Sequence, residues 1–96
     1  MIVFIVPVKG VREIADRVEL NVINYALNQP YQNLYFCLKS QFNPQIEEGN
    51  LIIPESVVSQ WGVDDSIIVD WALETLGLTE REGELTEEEQ SQVGHL

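Results

Sequence analysis

The side chains with the clearest chemical potential are four carboxylates that lie close together in sequence, Asp64, Asp65, Asp70 and Glu74. Oxygen ligands of this kind suit Ca²⁺ or Mg²⁺, and paired carboxylates act as general acid and base when a pocket separates their pKa values. The spacing of an EF-hand loop is missing, and the neighbouring residues are apolar. The pattern therefore predicts a solvated acidic surface, with no bound metal and no cofactor.

The remaining candidates for chemistry are one cysteine, Cys37, and one histidine, His95. They are too few for an ordinary zinc site, and the apolar run LYFCL around Cys37 predicts a buried free thiol. The sequence also lacks a glycine-rich phosphate loop and a nucleophile motif. We therefore predict that the protein is not an enzyme; a small enzyme without a recognisable site is the remote alternative.

Charge is the strongest compositional feature of this 96-residue chain, whose formal net charge is −11. Residues 1–46 carry four basic and three acidic side chains, whereas residues 47–96 carry one basic side chain, Arg81, and thirteen acidic ones. Such a surface repels nucleic acid and anionic lipid and attracts a basic partner. The predicted function is a protein-interaction module of the antitoxin, immunity, inhibitor or nucleic-acid-mimic type, which binds a basic protein surface through Asp64, Asp65, Asp70, Glu74, Glu80, Glu82, Glu84, Glu87, Glu88 and Glu89.

Length and composition predict one domain, with a globular part at residues 1–78 and a mobile acidic tail at residues 79–96. The apolar opening MIVFIVPV is too short for a signal peptide or a membrane span. A single free cysteine suits a reducing compartment. We expect a soluble, cytoplasmic protein.

The apolar pattern predicts a small α+β fold that opens with a strand, a helix and a strand. The strands are expected at residues 2–8 and 33–39, parallel and joined by a right-handed crossover through a helix at residues 11–28. EEGN at residues 47–50 predicts a turn, and LII at 51–53 a short strand. One or two helices and the acidic tail would complete the fold.

The predicted helix at 11–28 has apolar residues on two sides. The main stripe at 3.6-residue spacing faces the expected core and comprises Val11, Ile14, Ala15, Val18, Val22, Tyr25 and Ala26. A smaller set on the opposite side is either covered by the same chain or forms a self-association patch of a homodimer: Leu20, Ile23 and Leu27.

Residues 65–76 fit two structures. Asp64 or Asp65 as an N-cap and Gly77 as the end favour a helix with Leu78 packing back on it. The run Ile67, Ile68 and Val69 favours a strand. Both alternatives place Trp61 and Trp71 in or near the core.

The segment GNLIIPESVVSQWGVDDSIIVDW, residues 49–71, resembles the swapped-hairpin module of the AbrB/MazE type. The matching positions are Gly49, Ile53, Pro54, Val57, Trp61, Gly62, Val63, Val69 and Trp71. The resemblance implies a dimeric DNA-binding regulator or an antitoxin whose acidic C-terminal extension wraps a toxin. It is the alternative function, in which DNA would contact Lys9, Arg12, Arg17 and Lys39; segment 49–71 itself departs from the family by having four carboxylates and no basic residue.

Overall fold

The computed structural model describes residues 1–9, 13–23, 30–62 and 65–94. It contains four strands, β1 (Ile2–Lys9), β2 (Ile14–Ile23), β3 (Gln32–Lys39) and β4 (Glu47–Ile53), and three helices, α1 (Glu55–Val58), α2 (Ser66–Leu76) and α3 (Glu87–Gln90). The strands form one antiparallel sheet in the order β1-β2-β3-β4. Of the described residues, 41% are in strands and 23% in helices.

The predicted α+β fold class is therefore wrong, because the fold is mostly sheet. The expected helix at 11–28 is the error that matters most: its described part contains β2, and its neighbours β1 and β3 are antiparallel to it. Val18, Leu20 and Val22 alternate with Arg17, Glu19 and Asn21, which is the two-residue period of a strand. This alternation explains why the predicted helix has apolar residues on two sides.

The predicted turn at 47–50 is also wrong, because these residues begin β4. Gly49 does not form a turn. It allows the Phe36 ring to approach the backbone of β4 closely. A Cβ atom placed at Gly49 would lie 2.8 Å from Cε1 of Phe36, the cross-strand partner. The missing side chain lets the phenyl ring lie over β4.

Residues 66–76 form a helix, which decides between the two alternatives for this segment. Gly77 ends α2 in the left-handed conformation with φ of 71°, and the Leu78 amide donates to the Leu73 carbonyl. Asp65 occupies the N-cap position but its side chain makes no cap hydrogen bond. Its carboxylate instead accepts a hydrogen bond of 3.1 Å from Nε1 of Trp61.

The core lies between one face of the sheet and α2. Its fully buried side chains include Ile5, Val18, Leu20, Leu34, Ile53, Ile68 and Ala72. Trp61 and Trp71 are partly buried and pack against this core. Within the described residues, no helix is long and apolar enough to cross a membrane.

Residues 79–94 run along the outer edge of β1. The Val6 amide donates to the Thr79 carbonyl at 2.8 Å, the Arg81 amide to the Phe4 carbonyl at 3.0 Å, and the Ile2 amide to the Val93 carbonyl at 2.6 Å. Between these contacts, Thr86 starts α3 with a capping box. The mobility of residues 79–96 stays a prediction, and these hydrogen bonds define what must break for the segment to leave the sheet.

Candidate acidic interaction surface

Most basic side chains of the described residues are neutralised within the fold. Arg17 pairs with Asp16 at 2.9 Å, Lys39 with Glu19 at 2.8 Å, and Arg81 with Glu89 at 2.7 Å. The Lys39 side chain is also the main cause of the lowered pKa of Glu19. Of the basic side chains that the structure describes, only Lys9 makes no ion pair. The alternative of DNA binding relies on Lys9, Arg12, Arg17 and Lys39, of which Arg17 and Lys39 are paired and Arg12 lies outside the described residues.

The carboxylates on α2 are arranged differently. Asp70 and Glu74 are exposed and one helical turn apart, opposite the buried side formed by Ile68, Val69, Ala72 and Leu73. Neither makes an ion pair with any residue that the structure describes. Because α2 has no basic residue in its last turn, no cation of the helix offsets them. They form a fixed negative stripe on a rigid element.

A second exposed acidic group lies on the segment that covers β1. Glu82 and Glu84 are in its loop, and Glu87 and Glu88 are in the first turn of α3. A helix N-terminus favours carboxylates, so Glu87 and Glu88 add charge without destabilising α3. None of these four side chains makes an ion pair within the described part of the chain.

Two of the predicted binding residues, Glu89 and Asp65, are engaged inside the fold through their carboxylates, and Glu80 is engaged through its backbone while its side chain stays exposed. Glu89 binds both terminal nitrogens of Arg81 at 2.8 and 2.7 Å and completes the capping box with Thr86. The hydrogen bond from Arg81 is the main cause that lowers the pKa of Glu89 to about 2. Asp65 accepts from Trp61, and the backbone of Glu80 pairs with Ile5.

The remaining predicted residues fall in different places. Asp64 and Leu27 lie outside the described residues. Leu20 is fully buried in the core, so it contributes no surface to a self-association patch, whereas Ile23 is partly exposed near the end of β2. In the ranges that the structure describes, no three His, Cys, Asp or Glu side chains are close enough to hold a metal ion. The acidic residues can therefore act through their summed field and through separate contacts with a partner.

Two arginines that contact the same phenyl ring help to hold the acidic segment on the sheet, and no sequence pattern indicates them. The guanidinium groups of Arg17 and Arg81 lie 4.8 and 5.2 Å from the ring centre of the buried Phe4. Arg17 also donates to Oε1 of Gln92 at 2.8 Å. The contacts of Arg81 with Phe4 and of Arg17 with Gln92 join residues more than 70 positions apart in sequence, so no local pattern could indicate them.

The open cleft beside these arginines has a volume of about 330 Å³. Arg17, Arg81, Glu88 and Glu89 are among its lining residues. Both guanidinium groups already bind carboxylates, on Asp16 and Glu89. Both cations of the cleft are therefore not available to an anionic ligand. Their contacts attach residues 79–94 to the sheet.

The other face of the sheet is polar. The Tyr35 hydroxyl donates to Oε2 of Glu48 at 2.5 Å, and this hydrogen bond is the main cause that raises the pKa of Tyr35. Cys37 is a buried free thiol, as the apolar run around it predicts. His95, the only imidazole in the sequence, lies outside the described residues.

The resemblance to the swapped-hairpin module stays a prediction, although its expected second strand falls on α2 in this structure. No family model, no curated protein and no solved structure matches the chain.

Proposed function

We propose that this chain is a small, non-enzymatic interaction module that uses its acidic surface to bind a basic surface of another protein. Antitoxins, immunity proteins, inhibitors and nucleic-acid mimics are functions of this class. We place the protein in the cytoplasm as part of the same proposal, because its single cysteine, Cys37, is a free thiol.

One observation carries the proposal, namely the unequal pairing of the two kinds of charge. Arg17, Lys39 and Arg81 are paired with carboxylates, whereas Asp70, Glu74 and the exposed glutamates of residues 79–94 have no cationic partner among the residues that the structure describes. Self-repulsion of a net charge of −11 costs stability. A basic partner would remove that cost on binding, and long-range attraction would speed its association.

The test uses charge-matched variants of the immobilised protein and an extract of its own cells, with salt elution of whatever binds. Asp70→Asn with Glu74→Gln removes two charges from the exposed side of α2. Glu13→Gln with Glu55→Gln removes two charges from other exposed sites and is the matched control.

We expect a basic protein that is retained by the wild type and by the control pair, and that elutes from the α2 pair at lower salt. A contact of this kind weakens as salt screens it. A partner that is retained equally by all three forms and resists high salt would contradict the proposal.

The glutamates of residues 79–94 need a separate variant, because deletion of the segment would also uncover β1. Replacement of Glu82, Glu84, Glu87 and Glu88 by glutamine keeps the covering hydrogen bonds, which are made by backbone groups. We expect a further reduction of the eluting salt concentration with an unchanged fold.

A further inference from the structure

The outer edge of β4 is the open edge of the sheet. The opposite edge, on β1, is hydrogen-bonded to Thr79, Arg81 and Val93. Within the described residues, the backbone of β4 pairs with β3 alone. An unpaired strand edge is a template for an additional strand.

The hydrogen bonds at β1 show which groups of β4 are free. Backbone groups of Ile2, Phe4 and Val6 point outward from β1, and in antiparallel pairs the residues alternate between facing one neighbour and facing the other. The same alternation can be followed from β1 to β4 through the register of the sheet. It shows that the backbone N–H and C=O groups of Phe36 and Gly49 point toward each other. The N–H and C=O groups of Glu48, Asn50 and Ile52 therefore point away from β3, toward solvent.

An apolar cavity lies beside this edge on the α2 side. It has a volume of about 110 Å³ and is lined by Phe36, Leu38, Glu47, Leu76 and Leu78. Because Gly49 has no side chain, β4 leaves a gap on this face, over which the Phe36 ring lies. A residue of an added antiparallel strand that stood opposite Gly49 would direct its side chain toward this cavity.

The surroundings of the edge are negative. Residues 40–53 contain Glu47 and Glu48 and no lysine or arginine. The nearest cation on the neighbouring strand, Lys39, is already paired with Glu19. The C-terminal end of α2, whose residue Leu76 lines the cavity, adds the negative end of a helix dipole.

This charge selects between two occupants. A second copy of the chain has the same net charge of −11 and would bring a second edge that carries Glu47 and Glu48 and no cation, so the two copies repel each other. An extended segment with lysine or arginine side chains would be attracted instead.

We propose that the outer edge of β4 binds an extended, basic segment of the partner as a fifth strand, with one apolar side chain of that segment in the Phe36 cavity. Backbone hydrogen bonds from Glu48, Asn50 and Ile52 supply affinity, and the cavity and the glutamates supply specificity. This inference rests on the proposed function, since it assigns the place where the basic partner docks.

The probe is a synthetic peptide of alternating lysine and valine, seven residues long like β4, with the matching glutamate–valine peptide as control. Amide exchange of the whole protein is followed residue by residue with each peptide at low salt. In the free protein, the amides of Glu48, Asn50 and Ile52 should exchange faster than those of Gly49 and Leu51, which face β3. The lysine peptide should slow the first three by about tenfold or more, and the glutamate peptide should leave them unchanged.

Asn50→Pro and Asn50→Ala form a matched pair of variants. Proline removes the outward N–H group without removing a bond to β3, and it is tolerated on edge strands. We expect Asn50→Pro to weaken peptide binding by about tenfold or more, because the variant loses the backbone hydrogen bond from residue 50 to the peptide and disturbs the adjacent ones. Asn50→Ala, which keeps the N–H group, should bind like the wild type.

Other outcomes separate this inference from the proposed function. Lysine-peptide binding that leaves the three amides unprotected and is equal in both variants would overturn the fifth-strand site and leave the acidic module standing. Protection of these amides by a second copy of the chain, without peptide, would replace the partner by a homodimer. Absence of any binding by the lysine peptide would overturn both proposals.

Discussion

The two edge strands of the sheet, β1 and β4, differ in what lies along their outer sides. β1 begins the chain and carries Phe4, whose ring contacts two arginines; its outer edge is hydrogen-bonded to residues 79–94. β4 has an open edge flanked by Glu47 and Glu48 and by an apolar cavity. An edge that is not used for binding is normally covered or interrupted. Within the described residues, this chain therefore covers one edge with its own backbone, whereas the other edge is bordered only by the negative charge of Glu47 and Glu48 and by the cavity.

The largest effect is expected from removal of the β1 cover, that is, of residues 79–94, which run along the outer edge of β1. Truncation after Leu78 deletes three backbone hydrogen bonds to β1 and the Arg81 contact with Phe4. At about 0.5–1.5 kcal/mol for each hydrogen bond, the free energy of unfolding should fall by roughly 2–5 kcal/mol, as measured by urea denaturation. The exposed β1 edge should also cause self-association, visible in sedimentation. The full-length chain with Glu82, Glu84, Glu87 and Glu88 changed to glutamine is the control; a truncated chain as stable as the wild type would show that the cover is not structural.

A smaller loss is expected at the open edge itself. Gly49→Ala would place a Cβ atom 2.8 Å from the Phe36 ring, and overpacking of this kind costs about 1–3 kcal/mol. Gly62→Ala is the matched control, because a Cβ atom at Gly62 meets no atom within 4 Å. Urea denaturation should therefore separate the two variants. Equal stability of the pair would mean that the Phe36 ring moves aside freely.

The cover should also respond to pH through Glu89. Its pKa is lowered from 4.5 to about 2, chiefly by Arg81. A carboxyl group whose pKa is lower in the folded state stabilises the fold above its unfolded pKa, and this contribution is lost as pH falls through the folded value. The stability difference between the wild type and Glu89→Gln should thus be constant at neutral pH and shrink between about pH 4.5 and 2. A stability difference that does not change over this pH interval would show that the ion pair of Glu89 with Arg81 does not stabilise the attachment of residues 79–94 to β1.

The smallest effect is expected for Asn50→Ala, because Asn50 is exposed and its side chain makes no hydrogen bond within the described residues. Its free energy of unfolding should stay within about 0.5 kcal/mol of the wild type. A larger change in thermal or urea denaturation would mean that the edge of β4 is held by a contact of this side chain.

The contrast between β2 and α2 explains how much of the fold the sequence could predict. α2 carries local signals, a helix-favouring Ala-Leu-Glu stretch and a terminal glycine at Gly77, and these are independent of the rest of the chain. β2 also carries a local pattern, but its apolar residues fit both a helical stripe and strand alternation. Only pairing with β1 and β3, distant in sequence, decides between them.

The candidate surface divides in the same way. The exposure of Asp70 and Glu74 follows from the period of α2 once that helix is assigned. The ion pair of Glu89 with Arg81 and the burial of Leu20 both depend on tertiary contacts. The charge composition therefore assigns Glu89 to an acidic surface, and the helical pattern assigns Leu20 to a self-association patch, that these residues do not form. The open edge of β4 was hidden because EEGN resembles a turn.

The distance in sequence between β1 and the residues that cover it has a consequence for synthesis. The ribosome makes β1 before residues 79–93, so the amide of Ile2 waits for the carbonyl of Val93 until all the residues between them have emerged. Contacts of such sequence separation form slowly. Until residues 79–93 have emerged, the nascent chain presents the outer edges of both β1 and β4, and the time that this takes sets how long neighbouring nascent chains can pair through the β1 edge.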